Sequence, residues 1–402
     1  MKTSIRFWLV LLLFMPFIQS CSDSESDPDP QPVVENKYLV NFEESTALSL
    51  SLAQSLAIQA GYGEFVDLAK YSVKVYVVNY KTTYKGKEIT ASGLVTVPET
   101  DDEVPLAFVH RGTIFNNADA PSKNPLSAYA ILGTMGYIAM APDLIGFGTS
   151  KDILHPYYNY EYTAKASTDM MMAVEEMMRE LEVNYTKQLY ITGYSQGGYS
   201  TVATMKWIET HPEDFDIEIA RVAAGAGGFN IKGVMQDVLQ EETYSSPAYL
   251  AFVVQSYNET LWGGNNTSQY FNTPYDAQIS TLLNGTSGQS DVNAALPKVV
   301  NELFTESFLT ELAVGAESEF VTALQDNSID DWAPKAPLKI YHCKADEILP
   351  WENSEQTVLK MQANGATDVS FEVTEGDSHA TGGKFMLISA VYWLQGLEEA
   401  NY

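Results

Sequence analysis

The chain has 402 residues, 45% of them hydrophobic, and carries a formal net charge of −29. That apolar content supports a large buried core, either as two or three domains or as one α/β domain grown by insertion. The acidic field repels phosphate backbones and anionic headgroups, so nucleic acid is excluded as a partner.

Lys2 and Arg6 precede an apolar run from Phe7 to Ile18 that is too short to span a bilayer, and residues 1–20 read as a secretory signal. The run closes in Ile18-Gln19-Ser20-Cys21, which resembles the lipobox of bacterial lipoproteins. That resemblance implies a lipid on Cys21, membrane contact through this anchor only, and export to the outer membrane. Removing residues 1–20 takes away two cations and no acid, so the net charge falls from −29 to −31. Residues 21–37 follow as a tether of Ser, Asp, Glu and Pro, which can bury little and stays extended. Acidic residues directly after the cysteine resemble surface-export signals of some lipoproteins, and a plain solvated spacer accounts for them equally. With Cys21 lipidated, Cys343 is left without an intramolecular disulfide partner.

Residues 38–402 are expected to form one domain. Leu39–Leu68 reads as short helices. Val73–Val78 and Ile89–Val97 read as strands joined by the Lys85-Gly86-Lys87 turn. A βα alternation follows: strand Pro105–Val109, a short helix near 125–132, and strand Tyr137–Ala141. Next comes a helix whose Ala166, Met170, Val174, Met177 and Leu181 share one face. The methionines at 170–172 and 177–178 read as packing for that helix. Strand Gln188–Thr192 precedes a helix through Trp207, and Ala220–Gly225 reads as a further strand. Residues 229–335 show helical patterns and many aromatics but no buried strand, as a helical cap inserted over an active site would. The alternation resumes at Pro337–Tyr341 and Val369–Val373, with a last helix from about 382 to 397. The fold class is therefore α/β, with a mainly parallel central sheet, helices on both faces, and a cap inserted before the acid-bearing strand.

Gly193-Tyr194-Ser195-Gln196-Gly197 matches G-x-S-x-G between a strand and a helix, the setting of a nucleophile elbow. A tight turn lifts the serine hydroxyl above the sheet, and the Gln196 N–H faces a developing oxyanion. A serine hydroxyl needs a base, which a carboxylate orients, and on this fold the order is Ser, acid, His. Of five histidines only His342 and His379 follow late enough. His379 stands after the last strand and before the last helix, where the base belongs; His342 reads as a satisfied structural histidine. Asp346 follows the preceding strand and is favoured as the acid over Glu347 and Asp377. The second oxyanion donor is expected from the N–H of Thr113 or Gly112, in the loop after Pro105–Val109. Cys343 reads as a small buried residue beside the acid loop.

From about Tyr71 to Trp393 the chain resembles the secretory-lipase group of α/β-hydrolases. The likeness rests on Thr82–Gly93, Pro142–Gly148, His155-Pro156-Tyr157, the elbow, Asp326-Asn327 with Asp331-Trp332, and the Asp346 and His379 loops. It implies a capped serine esterase or lipase with Ser195, Asp346 and His379 as nucleophile, acid and base. Two departures stand out: the family's His-Gly-Thr is Arg111-Gly112-Thr113 here, and its His-Gly is His342-Cys343.

No zinc-ligand spacing, phosphate loop or dinucleotide fingerprint is present, and no cofactor or metal is expected. The expected reaction is hydrolysis of carboxylic esters through an acyl-enzyme at Ser195, on short-acyl or glycan-linked esters. A serine peptidase of related fold and a non-catalytic surface binding lipoprotein are the alternatives. Cap aromatics such as Tyr249, Phe252, Trp262 and Phe271 either form a core of their own or line the pocket, and Tyr257–Tyr275 is expected to gate entry. The oligomeric state is not legible in the sequence.

Overall fold

Apolar β-branched runs, buried on both sides, set the centre of the molecule. A computed structural model describes residues 35–315 and 318–397; the leader, Cys21 and most of the tether lie outside the described residues. Nine strands form one sheet in the order β1-β2-β3-β5-β4-β6-β7-β8-β9. They are β1 Leu39–Leu48, β2 Val73–Tyr84, β3 Lys87–Pro98, β4 Val104–His110, β5 Ile138–Pro142, β6 Tyr185–Tyr194, β7 Glu218–Gly225, β8 Leu338–Cys343 and β9 Val369–Thr374. From β5 to β9 across the sheet every pairing is parallel, and β1, β2 and β3 add antiparallel neighbours.

Parallel strands need crossover helices, and these cover both faces. On one face lies the helix Tyr160–Glu180, whose Met170, Met171, Val174, Met177 and Met178 are fully buried. Met172, expected to join them, is only half-buried. On the other lies the helix His379–Gln395, which sets Ile388 and Val391 against Val109 and Ala139. Each large apolar side chain buried this way contributes about 1.5–3 kcal/mol.

Two further sequence expectations are corrected. Residues 39–48 form the edge strand β1 rather than a helix. Pairing with β2 decides this, through a register that shifts at Leu39/Asn41 and Glu44/Thr46, so the strand never shows a clean alternation. The last helix begins at His379, not Gly382, because Ser378 caps it by accepting the Thr381 N–H. Within 257–275, Gly263, Asn265, Ser268 and Gln269 are exposed, while aromatics on either side pack inward. Tyr257, Tyr270 and Phe271 are buried, and rings from Tyr270, Phe308 and Phe320 meet with centroids 5.0 to 5.2 Å apart.

Between β7 and β8 the described residues fold into helices linked by two single bridges, Thr243–Val299 and Phe271–Phe304. The helices Ile231–Val238 and Pro247–Trp262 contribute side chains to a cavity shared with Ser195.

Candidate active site

Ser195 lies between the last residue of β6 and the first residue of the helix Gln196–Thr210. Its φ of 58° is in the left-handed region, a strained conformation for a residue with a side chain. The strain is held in place by the Ser195 N–H, which donates to Gly225 O at 2.9 Å. Glycine is required on both sides because backbones nearly touch. A Cβ on Gly193 would lie 2.4 Å from Gly197 O, and one on Gly197 would lie 2.3 Å from His110 O.

The base and acid arrive from the ends of β9 and β8. His379 Nε2 is 2.9 Å from Ser195 Oγ, and its Nδ1 is 2.6 Å from Asp346 Oδ2. With Nδ1–H donating to the carboxylate, Nε2 is left to accept the serine proton. Asp346 Oδ1 accepts the N–H groups of Ile348 and Leu349, both at 2.9 Å. Burial alone would raise this carboxyl. Hydrogen bonds from His342 and His379, the His379 charge and the Leu349 N–H outweigh it and hold the group well below the usual carboxylate range.

The three residues expected to act together are therefore adjacent, and the two rejected acids have other places. Glu347 accepts the His379 backbone N–H at 3.0 Å, while Asp377 makes no hydrogen bond among the described residues. Sequence reasoning missed three supports. Tyr194 OH donates to His379 O at 2.8 Å, Glu347 holds the start of the histidine's helix, and His342 Nε2 lies 3.1 Å from Asp346 Oδ2. Only the last had a signal, the four-residue spacing from His342 to Asp346. Cys343 is buried as expected. Thr374 Oγ1 donates to its sulfur at 3.0 Å, and a Cβ on Gly382 would lie 2.5 Å from that sulfur.

Gly112 lies beside the elbow: a Cβ there would make ordinary contacts, 3.5 Å from Tyr194 O and 3.9 Å from Ser195 Cβ. Among the described residues neither the Thr113 N–H nor the Gln196 N–H meets an acceptor. Gln196 sits at the start of its helix, where backbone N–H groups favour negative charge.

The model of one protein family, described as secretory lipase, matches residues 125–396, about two thirds of the chain. The chain belongs to the secretory lipase family. No curated protein matches it. Solved structures place the fold among the α/β-hydrolases. A presumed hydrolase from Legionella pneumophila is 25% identical, with a TM-score of 0.82 over 91% of this chain and 100% of that one. The rice cell wall degrading esterase LipA from Xanthomonas oryzae is 22% identical, with a TM-score of 0.77 over 88% and 95%. Lipase A of Candida antarctica in its closed state is 14% identical, with a TM-score of 0.67 over 89% and 81%.

In this member of the family, half-buried Ser195 opens onto an apolar cavity of about 30 Å³, enough for a water or two. Ile231, Met235 and Leu250 come from the helical segment, and Ile348 and Leu349 from the acid loop. Two of the tyrosine hydroxyls around it are engaged elsewhere: Tyr157 OH with Thr113 Oγ1 at 2.7 Å, and Tyr244 OH donating to Ile348 O at 2.9 Å. Tyr249 and Phe252 pack on Phe115, so the helical aromatics divide between a core of their own and the surroundings of this cavity. Tyr244, Ile348 and Leu349 also wall a second, open groove of about 520 Å³, which carries Glu241, Ser245, Lys298 and Glu347.

Proposed function

We propose that the protein is a serine carboxylic-ester hydrolase. Ser195 Oγ attacks the ester carbonyl carbon while His379 Nε2 takes the hydroxyl proton. Asp346 holds the imidazole by Nδ1 and stabilises its charged form. The tetrahedral oxyanion rests on the N–H groups of Gln196 and Thr113, with Gly112 allowing the close approach. Collapse breaks the bond to the leaving alcohol, which receives the proton from His379, and leaves the acyl group on Ser195. A water activated by His379 then releases the acid and restores the hydroxyl. No cofactor takes part.

The observation that carries this reading is the unbroken hydrogen-bond chain Ser195–His379–Asp346 on a strained elbow. Hydrolysis of p-nitrophenyl acetate tests it. Ser195→Ala should lower kcat by on the order of 10⁴-fold or more and abolish labelling by a fluorophosphonate. Activity that survives the substitution would defeat it. Matched amide substrates separate this reading from a peptidase, and an unlabelled wild type would point to a binding protein.

The substrate reading is an ester with a short acyl group on a hydroxyl-rich, glycan-type alcohol. The small apolar cavity at Ser195 suits a short acyl tail, and the polar groove beyond Ile348 suits many hydroxyls. The segment 229–335 is read as a helical cap over the site. Secretory lipase membership accords with export, and lipidation of Cys21 would tether the enzyme to the outer membrane, facing polymeric substrates. Metabolic labelling with an alkyne fatty acid should mark the wild type and not Cys21→Ser.

A further inference from the structure

Among the described residues Arg111 is the largest fully buried side chain, with 1% of its surface exposed. A buried cation is expensive unless its donors are satisfied. Here four of its five N–H groups donate, all to oxygens that carry no formal charge. Nε and Nη2 donate to the Asp143 backbone carbonyl at 3.0 and 2.8 Å. Nη1 donates to the Gly112 carbonyl and to Gln196 Oε1, both at 3.0 Å. The guanidinium also lies 4.6 Å from the centre of the Phe147 ring. The Asp143 carboxylate is occupied elsewhere, by the Ser122 N–H at 2.8 Å and Ser92 Oγ at 2.6 Å.

Two of those acceptors belong to the residues that frame the elbow. In a trans peptide the carbonyl of residue 112 and the N–H of residue 113 point in opposite directions. Holding the Gly112 carbonyl on Arg111 therefore turns the Thr113 N–H away from the guanidinium. The Gln196 side chain is gripped at both ends, since its Nε2 donates to His155 Nε2 at 2.5 Å and His155 Nδ1 donates to Ile145 O at 2.6 Å. Burial first, then the Arg111 charge, pulls His155 down to about 3, so the ring is neutral and free to accept.

We infer that Arg111 is a positioning residue for the oxyanion: one buried guanidinium ties together the two separate chain segments that present the Thr113 and Gln196 N–H groups. This rests on the ester-hydrolase reading above. A fork of donors is needed, because a lysine ammonium lacks the planar spread to reach Asp143, Gly112 and Gln196 together. The positive charge behind both donors also favours negative charge developing in front of them.

The test compares wild type with Arg111→Lys and Gln196→Met, the second removing the link while keeping the backbone N–H. Four quantities are measured: kcat and KM on p-nitrophenyl acetate, the affinity of phenylboronic acid, which forms a tetrahedral anion on the serine, and the melting temperature. In Arg111→Lys, kcat should fall about 10²-fold with KM within about threefold, and boronate affinity should fall by a similar factor. Gln196→Met should show a smaller loss of the same kind, and the double variant should be no worse than Arg111→Lys alone. A folded Arg111→Lys with near wild-type kcat overturns the inference, as does a loss of kcat without loss of boronate affinity. If Arg111→Lys does not fold, Gln196→Met decides: unchanged kcat and boronate affinity overturn the inference. A wild type that neither turns over esters nor binds the boronate overturns this inference and the hydrolase reading together. An active wild type with indifferent variants overturns this inference alone.

Discussion

His342 and His379 meet on a single oxygen: Asp346 Oδ2 lies 3.1 Å from His342 Nε2 and 2.6 Å from His379 Nδ1. His342 Nδ1 is in turn 2.7 Å from Ser354 Oγ, which leaves Nε2–H to donate to the carboxylate. The acid thus accepts four hydrogen bonds, two from backbone and two from imidazoles. A hydrogen bond to a charged group contributes about 1.5–3 kcal/mol. His342→Ala is expected to lower kcat about tenfold or more with little change in KM, while His342→Gln, which keeps a donor at similar reach, should recover part of it. A folded alanine variant with unchanged kcat would remove His342 from this role.

The elbow tolerates no side chain at residue 197. In Gly197→Ala the added methyl would lie 2.3 Å from His110 O and 2.9 Å from Arg111 O, both backbone atoms that cannot swing aside. A stability loss of about 3 kcal/mol is expected, with near-complete loss of esterase activity. Gly63→Ala is the control, since an added Cβ there meets nothing within 4 Å. Thermal melts on the pair test this; equal stability would contradict the tight packing.

Acid should unfold the protein earlier than its carboxylates alone would. Burial first, and the Arg111 charge second, pull His110 and His155 from 6.5 down to about 3. Both stay neutral in the fold while their unfolded counterparts take up protons below 6.5. Their contribution is therefore complete above 6.5 and is lost as pH falls towards 3, at about 1.4 kcal/mol per pH unit for each. Asp346, whose carboxyl is depressed, adds its own loss only below about 4. Melting temperatures from pH 7 to 4 should fall steeply, and His110→Gln should make the slope shallower. A flat profile over that range would refute the buried neutral histidines.

Ile348 stands between the apolar cavity and the polar groove and is half-buried, so it can be shortened at modest cost. Ile348→Ala should move the preferred acyl length upward from acetyl. The check is a rate series of p-nitrophenyl esters from acetyl to octanoyl, with acetylated sugars alongside. A wild type that prefers long chains and ignores sugar esters would reverse the substrate reading.

Much of this could be read before any coordinates, for a physical reason. Strands buried on both faces must be largely apolar, so β4, the Leu189–Ile191 part of β6 and most of β8 announce themselves. The fold then dictates that Ser195, Asp346 and His379 come together. What stayed hidden depends on contacts between distant segments. The edge strand β1 has little apolar signal, with Glu43 and Glu44 in its middle, and exists because β2 offers it a partner. The grip of Arg111 on Gln196 joins residues 85 apart. The aromatics between β7 and β8 have no periodicity that separates those buried among themselves, such as Phe308, from those near Ser195, such as Tyr249.

Cys343 sets its sulfur against Gly382, one turn into the helix that begins with His379. Burial raises its thiol pKa, so alkylation should be slow. A mercurial or an alkylating agent that did reach the sulfur would crowd that helix and carry the imidazole away from Ser195. Inhibition by thiol reagents, ordinarily taken to diagnose a cysteine nucleophile, would in this protein report a displaced histidine.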